Sequence, residues 1–196
     1  MNDFAFYFTL GWRHIISLEA SDHILFIVAL AAVYLLKDVK QLLVLITAFT
    51  IGHSMTLALS VNDIIRFPSK IVEFLIPLTI VITAAVNLFT NSAMKKHMRY
   101  RYVVALLFGL VHGMGFANSI RFMLYKKETI FKPLLGFNLG LEAGQIIVVG
   151  IILLAGYIFI NKAGMRQRHW ICILSGIALC AGLFMCFQRL PFNGRV

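Results

Sequence analysis

The sequence has few charged residues and very few acidic ones. Charged residues make up 13% of its 196 positions, and only 8 are Asp or Glu. A soluble domain usually carries about 25% charged residues. With 60% hydrophobic residues and a mean hydropathy of +0.87, the chain is predicted to be an integral membrane protein.

Other features are also missing, and each absence narrows the function. No Gly-rich nucleotide-binding motif is found, which argues against ATP-driven transport by this chain. All three cysteines, Cys172, Cys180 and Cys186, fall in the last apolar run, so burial explains them better than a disulfide or a metal site. Continuous runs such as IIVVGIILLAGYIFI lack the alternation of membrane strands and favour helices.

Six apolar stretches are each close to the roughly 20 residues that a helix needs to cross a bilayer. They cover residues 20–36, 42–61, 71–89, 102–124, 134–160 and 170–187. The predicted fold is therefore an all-α polytopic membrane protein, a bundle of about six transmembrane helices in one domain over residues 1–196. The segment before the first stretch lacks the basic start of a cleaved signal peptide, and we expect it to remain as a short interfacial or re-entrant helix.

The net charge of +10 comes from basic residues in the short loops. Clusters such as KKHMRYR and YKKETIFK are typical of contacts with anionic membrane lipids, and no nucleic-acid partner is predicted. Lys and Arg divide nine against nine between the two sides, so the positive-inside rule leaves the orientation open. The sequence also leaves open whether the protein is a homo-oligomer.

Ionisable residues also lie within or at the ends of the apolar stretches, where an unpaired carboxylate costs about 2.5–3.5 kcal/mol. They are His14, Glu19, Asp22, His23, His53, Glu73, His112 and Glu142. Such groups are tolerated when they face the bundle interior and pair with one another or with an ion. We therefore expect His53, His112 and Glu142 to be buried and to face the bundle centre.

Small residues predict close helix packing beside these polar groups. The fifth stretch has glycines at successive i+4 steps, namely Gly136, Gly140 and Gly144. Its opposite side carries Asn138, Glu142 and Gln145. In the fourth stretch, Gly109 and Gly113 flank His112, so a partner backbone can come near that imidazole.

Histidines with nearby carboxylates are typical ligands of a divalent transition metal such as Ni, Co or Zn. The candidate ligands are His23, His53, His112, Asp22 and Glu142. The candidate supporting residues are His14, Ser54, Asn138 and Gln145. A single buried histidine more often bonds a hydroxyl or a carbonyl group, but three at membrane depth together with two carboxylates favour one shared site. A third interpretation, besides a transporter and an enzyme, is a membrane scaffold whose polar residues only bridge helices.

The spacing near the N-terminus suggests separate roles for neighbouring residues. Asp22 and His23 are adjacent and diverge by about 100° on a helix, so we expect one to bind the metal and the other to orient it. His14 precedes Asp22 by about two helical turns and is expected at the mouth of the site.

Five blocks between Asp22 and Gln145 resemble, in order, segments of the HupE/UreJ family of small polytopic membrane proteins. They read SDHILFIVALAAVYLL, TAFTIGHSMTLAL, VEFLIPLTIVITAAVN, LFGLVHGMGFANSI and LGFNLGLEAGQ. The resemblance implies a permease for nickel or cobalt in the bacterial inner (cytoplasmic) membrane. It also implies that the metal-associated positions are Asp22, His23, His53, His112 and Glu142.

The main alternative is an intramembrane zinc-dependent hydrolase acting on a lipid-like or acyl substrate. In that enzyme His23, His53 and His112 would hold Zn²⁺ and leave a fourth position open for water. Asp22 or Glu142 would act as the general base. The sequence does not separate the two functions. We favour transport because imidazoles with a few carboxylates release an ion more readily than a thiolate cage does.

Overall fold

The computed structural model describes residues 3–17, 21–89, 98–124 and 130–191, and nearly all of them are helical. Seven α-helices occur within these ranges: α1 (Asp3–Ile16), α2 (Ser21–Ala31), α3 (Val39–Val61), α4 (Ser69–Phe89), α5 (Met98–Leu124), α6 (Phe131–Tyr157) and α7 (Gln167–Gln188). A 3₁₀ turn at Leu36–Asp38 precedes α3, and a π-helical turn at Ile158–Lys162 extends α6. The described part of the chain has no strand, so the predicted all-α class is confirmed.

Five of the helices, α3 to α7, are long and apolar enough to cross a membrane. They contain between 21 and 27 residues, which corresponds to roughly 30–40 Å at 1.5 Å per residue and matches the hydrocarbon thickness. The second to sixth predicted stretches fall on these five helices. Much of both basic clusters, residues 95–97 and 125–129, lies outside the described residues.

The first predicted stretch, 20–36, is not one continuous helix. Its helix, α2, has only 11 residues, about 16 Å of rise, and ends at Ala31 in a turn. Instead α1 and α2 together are long and apolar enough to form one spanning segment, with a bend of 68° between them. The described helices therefore provide five crossings, or six when this bent pair counts as one. Hydropathy predicts the length of this apolar run but not the residue at which its helix ends.

The glycine stripe of α6 packs against α1. A Cβ atom on Gly140 would lie 2.0 Å from the carbonyl oxygen of Phe8, and one on Gly11 would lie 1.9 Å from that of Phe137. No side chain fits in such a gap, so the two backbones touch directly. The predicted close neighbour of the stripe is therefore the N-terminal helix, which runs parallel to α6.

A second pair of glycine contacts joins α3 to α5. A Cβ on Gly109 would lie 2.0 Å from the carbonyl oxygen of Phe49, and one on Gly113 would lie 2.4 Å from that of His53. Gly52 makes the reciprocal contact, since a Cβ built on it would lie 2.2 Å from the carbonyl oxygen of Leu106. These contacts hold α3 and α5 side by side, so that His53 and His112 lie on adjoining helices.

The remaining helices, α2, α4 and α7, are joined by polar contacts at one end of the bundle. The Asn87 amide donates to the carbonyl oxygen of Ala29 at 2.6 Å and to the Ser175 hydroxyl at 3.3 Å. Arg168 donates to the carbonyl oxygens of Asn87 and Leu88. These bonds satisfy backbone groups at the ends of helices, where the intrahelical pattern stops. The opposite end of α2, which carries Asp22 and His23, is left facing the bundle interior.

The direct backbone contact between α1 and α6 predicts a large effect of one added methyl group. Gly140→Ala places its Cβ against the Phe8 carbonyl, and we expect about 1–3 kcal/mol of destabilisation from overpacking. Gly150→Ala, on the same helix, meets nothing within 4 Å and should be neutral or stabilising by up to about 1 kcal/mol through helix propensity. Thermal unfolding of both variants in detergent checks this. Equal stabilities for the two variants would contradict the α1–α6 packing.

Candidate metal centre

Three imidazoles from three helices converge near the middle of the bundle. His14 of α1, His23 of α2 and His53 of α3 each place one ring nitrogen within 4.8 Å of the other two. The ring centroids of His14 and His23 lie 4.7 Å apart, and that of His53 lies 6.2 and 6.1 Å from them. We refer to these three residues as the imidazole cluster. His53 lies roughly 12 Å along α3 from the end of that helix, which places the cluster deep in the membrane.

Ring nitrogens of the imidazole cluster have no hydrogen-bond partner among the described residues. They are Nε2 of His14, Nε2 of His23 and both nitrogens of His53, all buried. An unsatisfied buried polar atom costs about 1–3 kcal/mol, so three such residues in contact represent a substantial loss of stability. Neutral imidazole nitrogens with free lone pairs are what Ni²⁺, Co²⁺ and Zn²⁺ bind. The donor set therefore fits a transition metal, whereas helix packing alone gives no reason for it.

Asp22 fixes the orientation of His23. Its Oδ1 lies 2.9 Å from Nδ1 of His23 and also accepts the backbone N–H of His23 at 2.9 Å. A carboxylate can only accept, so Nδ1 of His23 carries the proton and Nε2 is left with a free lone pair. The second carboxylate oxygen, Oδ2, accepts from Arg189 at 3.3 Å. Asp22 thus supports a ligand, and of the two expected roles for this pair His23 has the geometry of the metal ligand.

His112 lies beside the cluster but points one nitrogen elsewhere. Its Nε2 lies 2.9 Å from Oγ1 of Thr79, and that hydroxyl donates its only proton to the carbonyl of Ile76 at 2.7 Å. The Thr79 oxygen must therefore accept from Nε2–H, which leaves Nδ1 of His112 as a lone-pair nitrogen. Nδ1 is buried without a described partner, and the ring lies 4.9 Å from that of His23. His112 is therefore adjacent to the imidazole cluster, with Nδ1 free to act as a further donor.

Aromatic rings enclose the imidazoles on the sides that face the bundle. The Phe116 ring lies 4.4 Å from that of His14, and the Phe137 ring stacks on His53 at 6.1 Å. The Phe49 ring lies 5.1 Å from that of His112. On these sides the imidazoles have nonpolar neighbours, and low local polarity strengthens any bond between nitrogen and a cation.

A cavity of about 760 Å³ leads from the cluster to the protein surface. Its lining consists of Leu10, Arg13, His14, Ser17, Asp22, His23, Glu73, Ile76, His112, Gly115, Phe116 and Arg189. Arg13, Glu73 and Gly115 are exposed and mark its open rim. We call this cavity the vestibule. It lies on the side of the bundle where α3 ends and α4 begins.

A proline helps to hold Arg189 in the vestibule. Pro77 has no N–H, so the carbonyl of Glu73 four residues earlier lacks its usual intrahelical donor. Arg189 donates to this carbonyl at 3.5 Å and to Asp22 at 3.3 Å. The end of α7 is thereby tied to both α4 and α2, and the charge of Asp22 is balanced by a guanidinium.

Glu142 lies apart from the imidazole cluster. It is only half-buried, on a side of α6 shared with exposed Leu139 and Ile146, so the expectation that it is buried at the bundle centre is wrong. Its Oε1 accepts from the Thr47 hydroxyl at 2.7 Å. In the described chain this carboxylate does not belong to the group of ligand atoms that lie within 4.8 Å of one another, which comprises only the imidazole cluster. The spacing of residues along one helix predicts that Glu142 and Gln145 lie on the same side of α6. It does not show which helix packs against that side.

The predicted supporting residues differ in their surroundings. Gln145 is buried and accepts from Thr50 at 2.9 Å, whereas Ser54 donates to the Thr50 carbonyl of its own helix at 2.6 Å. Oδ1 of Asn138 is buried without a described partner. Glu19 lies outside the described residues. Of the four supporting candidates, only His14 joins the grouped ligand atoms.

The sequence did not predict the central position of His14 or the two arginines of the vestibule. It also did not predict the hydrogen bond that His112 donates to Thr79. The segment between His14 and Asp22 was treated as one helix, which placed His14 two turns away. Because the chain bends there, the two rings meet instead. The only sequence signal was that His14 follows Arg13, a second polar residue, in an apolar helix.

The unpartnered nitrogens of His53 predict that this residue lowers the stability of the metal-free protein. His53→Leu keeps a similar volume and removes two unsatisfied polar atoms, so we expect a gain of about 1 kcal/mol with a chelator present. His169→Leu, an exposed histidine at the start of α7, serves as the matched control and should give no gain. Thermal unfolding in detergent measures both. A loss of stability in His53→Leu would show that the imidazole is satisfied.

Comparison with known proteins gives one match. A family model described as HupE / UreJ protein matches residues 1–189, which is almost the whole chain and includes every residue of the imidazole cluster. Neither the comparison with curated proteins nor the comparison with solved structures gives a match. The resemblance noted in the five sequence blocks is confirmed, and the chain belongs to the HupE / UreJ family.

Proposed function

We propose that the protein is a permease for a divalent transition metal, Ni²⁺ or Co²⁺, in the bacterial inner membrane. The observation that carries the proposal is the set of unpartnered, buried imidazole nitrogens at the inner end of an open vestibule. The family is associated with nickel and cobalt transport, which favours these two metals over Zn²⁺.

The ligand chemistry suits transient binding. His14, His23 and His53 offer neutral nitrogens, and the cysteines lie on α7 outside the grouped ligand atoms. Transport requires a site strong enough to remove water from the ion and weak enough to release it. Imidazoles without a thiolate provide that balance for Ni²⁺ and Co²⁺ better than a closed four-thiolate site would.

Polar side chains also lie beside the cluster, where α3 crosses α6. One turn before His53 on α3, Thr50 bonds Gln145 of α6, and almost one turn further Thr47 bonds Glu142. These two hydrogen-bonded pairs place oxygen atoms at the crossing of α3 and α6. We assign Glu142 the role of an additional oxygen ligand at this crossing, separate from the imidazoles.

The hydrolase alternative lacks a suitably placed general base among the two carboxylates considered for it. Both oxygens of Asp22 are engaged, one by His23 and one by Arg189. Glu142 bonds Thr47 and is absent from the grouped ligand atoms of the described chain. A general base must be able to reach the metal-bound water, so these positions favour transport.

Removing a cluster imidazole should abolish both metal binding and metal flux. We expect His14→Ala and His53→Ala to lose bound Ni²⁺ and Ni²⁺ uptake in proteoliposomes, because each removes one of three converging ligands. The bundle should remain folded, since its helices are joined by glycine contacts and aliphatic packing. His169→Ala is the matched control and should behave as the wild type. Normal uptake by both cluster variants would refute the proposed site.

The two carboxylates should have different effects. Asp22→Asn should weaken Ni²⁺ binding by roughly 10–100-fold, because His23 loses the partner that fixes its tautomer. Glu142→Gln should keep binding near the wild-type level and slow the flux, because Glu142 lies outside the cluster. Equilibrium dialysis and proteoliposome uptake separate these outcomes. Full metal occupancy without flux in the wild type, together with release of acyl product, would favour the hydrolase.

A further inference from the structure

The vestibule is much larger than a hydrated metal ion requires. Six waters at about 30 Å³ each occupy roughly 180 Å³, whereas the vestibule has about 760 Å³. Volumes of about 300–1,000 Å³ are typical of pockets that bind small organic molecules. The vestibule therefore has room for a ligand larger than the hydrated ion.

The charges of the vestibule do not suit a bare dication. Its four charged residues are Arg13, Asp22, Glu73 and Arg189, two of each sign. The lining thus supplies no net negative charge to draw a cation in. The carboxylate nearest to the cluster, Asp22, is already balanced by Arg189 and bonded to His23.

Arg13 is the positive group that remains available. It is exposed and lines the vestibule, and its guanidinium has no hydrogen-bond or ion-pair partner in the described part of the chain. It also directly precedes His14, so the positive charge stands next to a ligand of the cluster. An arginine at this depth is tolerated because it faces a cavity open to the surface, and its planar guanidinium is suited to bidentate binding of a carboxylate.

We infer that the vestibule receives the metal as a complex with a small carboxylate-bearing chelator. The inference rests on the proposed function. Arg13 binds a free carboxylate of the complex, and the metal faces the unpartnered nitrogens of His14 and His23. The bonds from the metal to the chelator oxygens break as bonds to imidazole nitrogens form. The chelator then leaves through the open rim by which it entered.

The test uses the full chain in proteoliposomes, with the free Ni²⁺ concentration held constant by a metal buffer. Nickel citrate is then raised independently, and nickel with histamine serves as a cationic complex. We expect uptake to rise with nickel citrate and not with the histamine complex, while labelled citrate stays outside. Uptake that depends on free Ni²⁺ alone would overturn the inference and leave the permease intact. No uptake in any form would count against the proposed function itself.

Arg13→Gln and Arg66→Gln form a matched pair of charge removals. Arg66 is an exposed residue outside the vestibule, bonded to Asp63. We expect Arg13→Gln to raise the half-saturation concentration for nickel citrate about tenfold more than that for the free ion, because a charge-assisted contact is lost. Arg66→Gln should leave their ratio unchanged. Equal losses for both forms in Arg13→Gln would contradict the inference and point to a structural or lipid-binding role.

Binding measurements keep the inference testable even if flux is lost. Equilibrium dialysis of labelled citrate against the detergent-solubilised wild type should show retention only when Ni²⁺ is present. Citrate retained equally without Ni²⁺, or not retained with it, would refute docking of the complex.

Discussion

The arrangement of the site depends on direct backbone contact at glycines. The pairs α1–α6 and α3–α5 approach so closely that a Cβ atom at Gly109 or Gly140 would lie within 2.0 Å of a carbonyl oxygen. In a membrane, helices gain little from the hydrophobic effect, so van der Waals contact between backbones becomes a principal source of association. One of these contacts involves the backbone of His53 itself, and another fixes the helix that carries His14. The ligand geometry is thus set by interactions that do not require the metal.

The imidazole cluster illustrates a conflict between stability and function. Buried nitrogens of its three histidines and of the adjacent His112 lack partners among the described residues, and each is costly in a nonpolar interior. In the same region, His23 and His112 have one nitrogen bonded, to Asp22 and Thr79 respectively. The bonded nitrogens therefore fix the orientation of these rings. The other nitrogens are left without a hydrogen-bond partner. This division is what a transient metal site requires, since an ion can enter without displacing a protein hydrogen bond.

The charge of Asp22 is balanced by a residue outside the imidazole cluster. Pro77 frees the Glu73 carbonyl, Arg189 binds it together with Asp22, and the carboxylate beside His23 is thereby neutralised. Arg13 is left as the available cation of the vestibule. The imidazole cluster and the charged vestibule consequently differ in chemistry, and the proposed docking of a metal complex uses the charge of the vestibule rather than that of the cluster. At the α3–α6 crossing, outside the cluster, Thr47 donates a hydrogen bond to Glu142.

The sequence by itself determined the class of the protein, the five long spans and the glycine stripe on α6, because apolar length and i+4 spacing are local properties of one helix. It also identified His23, His53 and His112 as unusual, since an ionisable group in an apolar run is costly wherever its helix lies. Only the tertiary structure decided which groups meet. The bend between α1 and α2 brings His14 to His23, and the crossing of α3 with α6 carries Glu142 away from the imidazoles. These outcomes depend on the directions of helices relative to one another, and those directions are set by contacts between residues far apart in the chain.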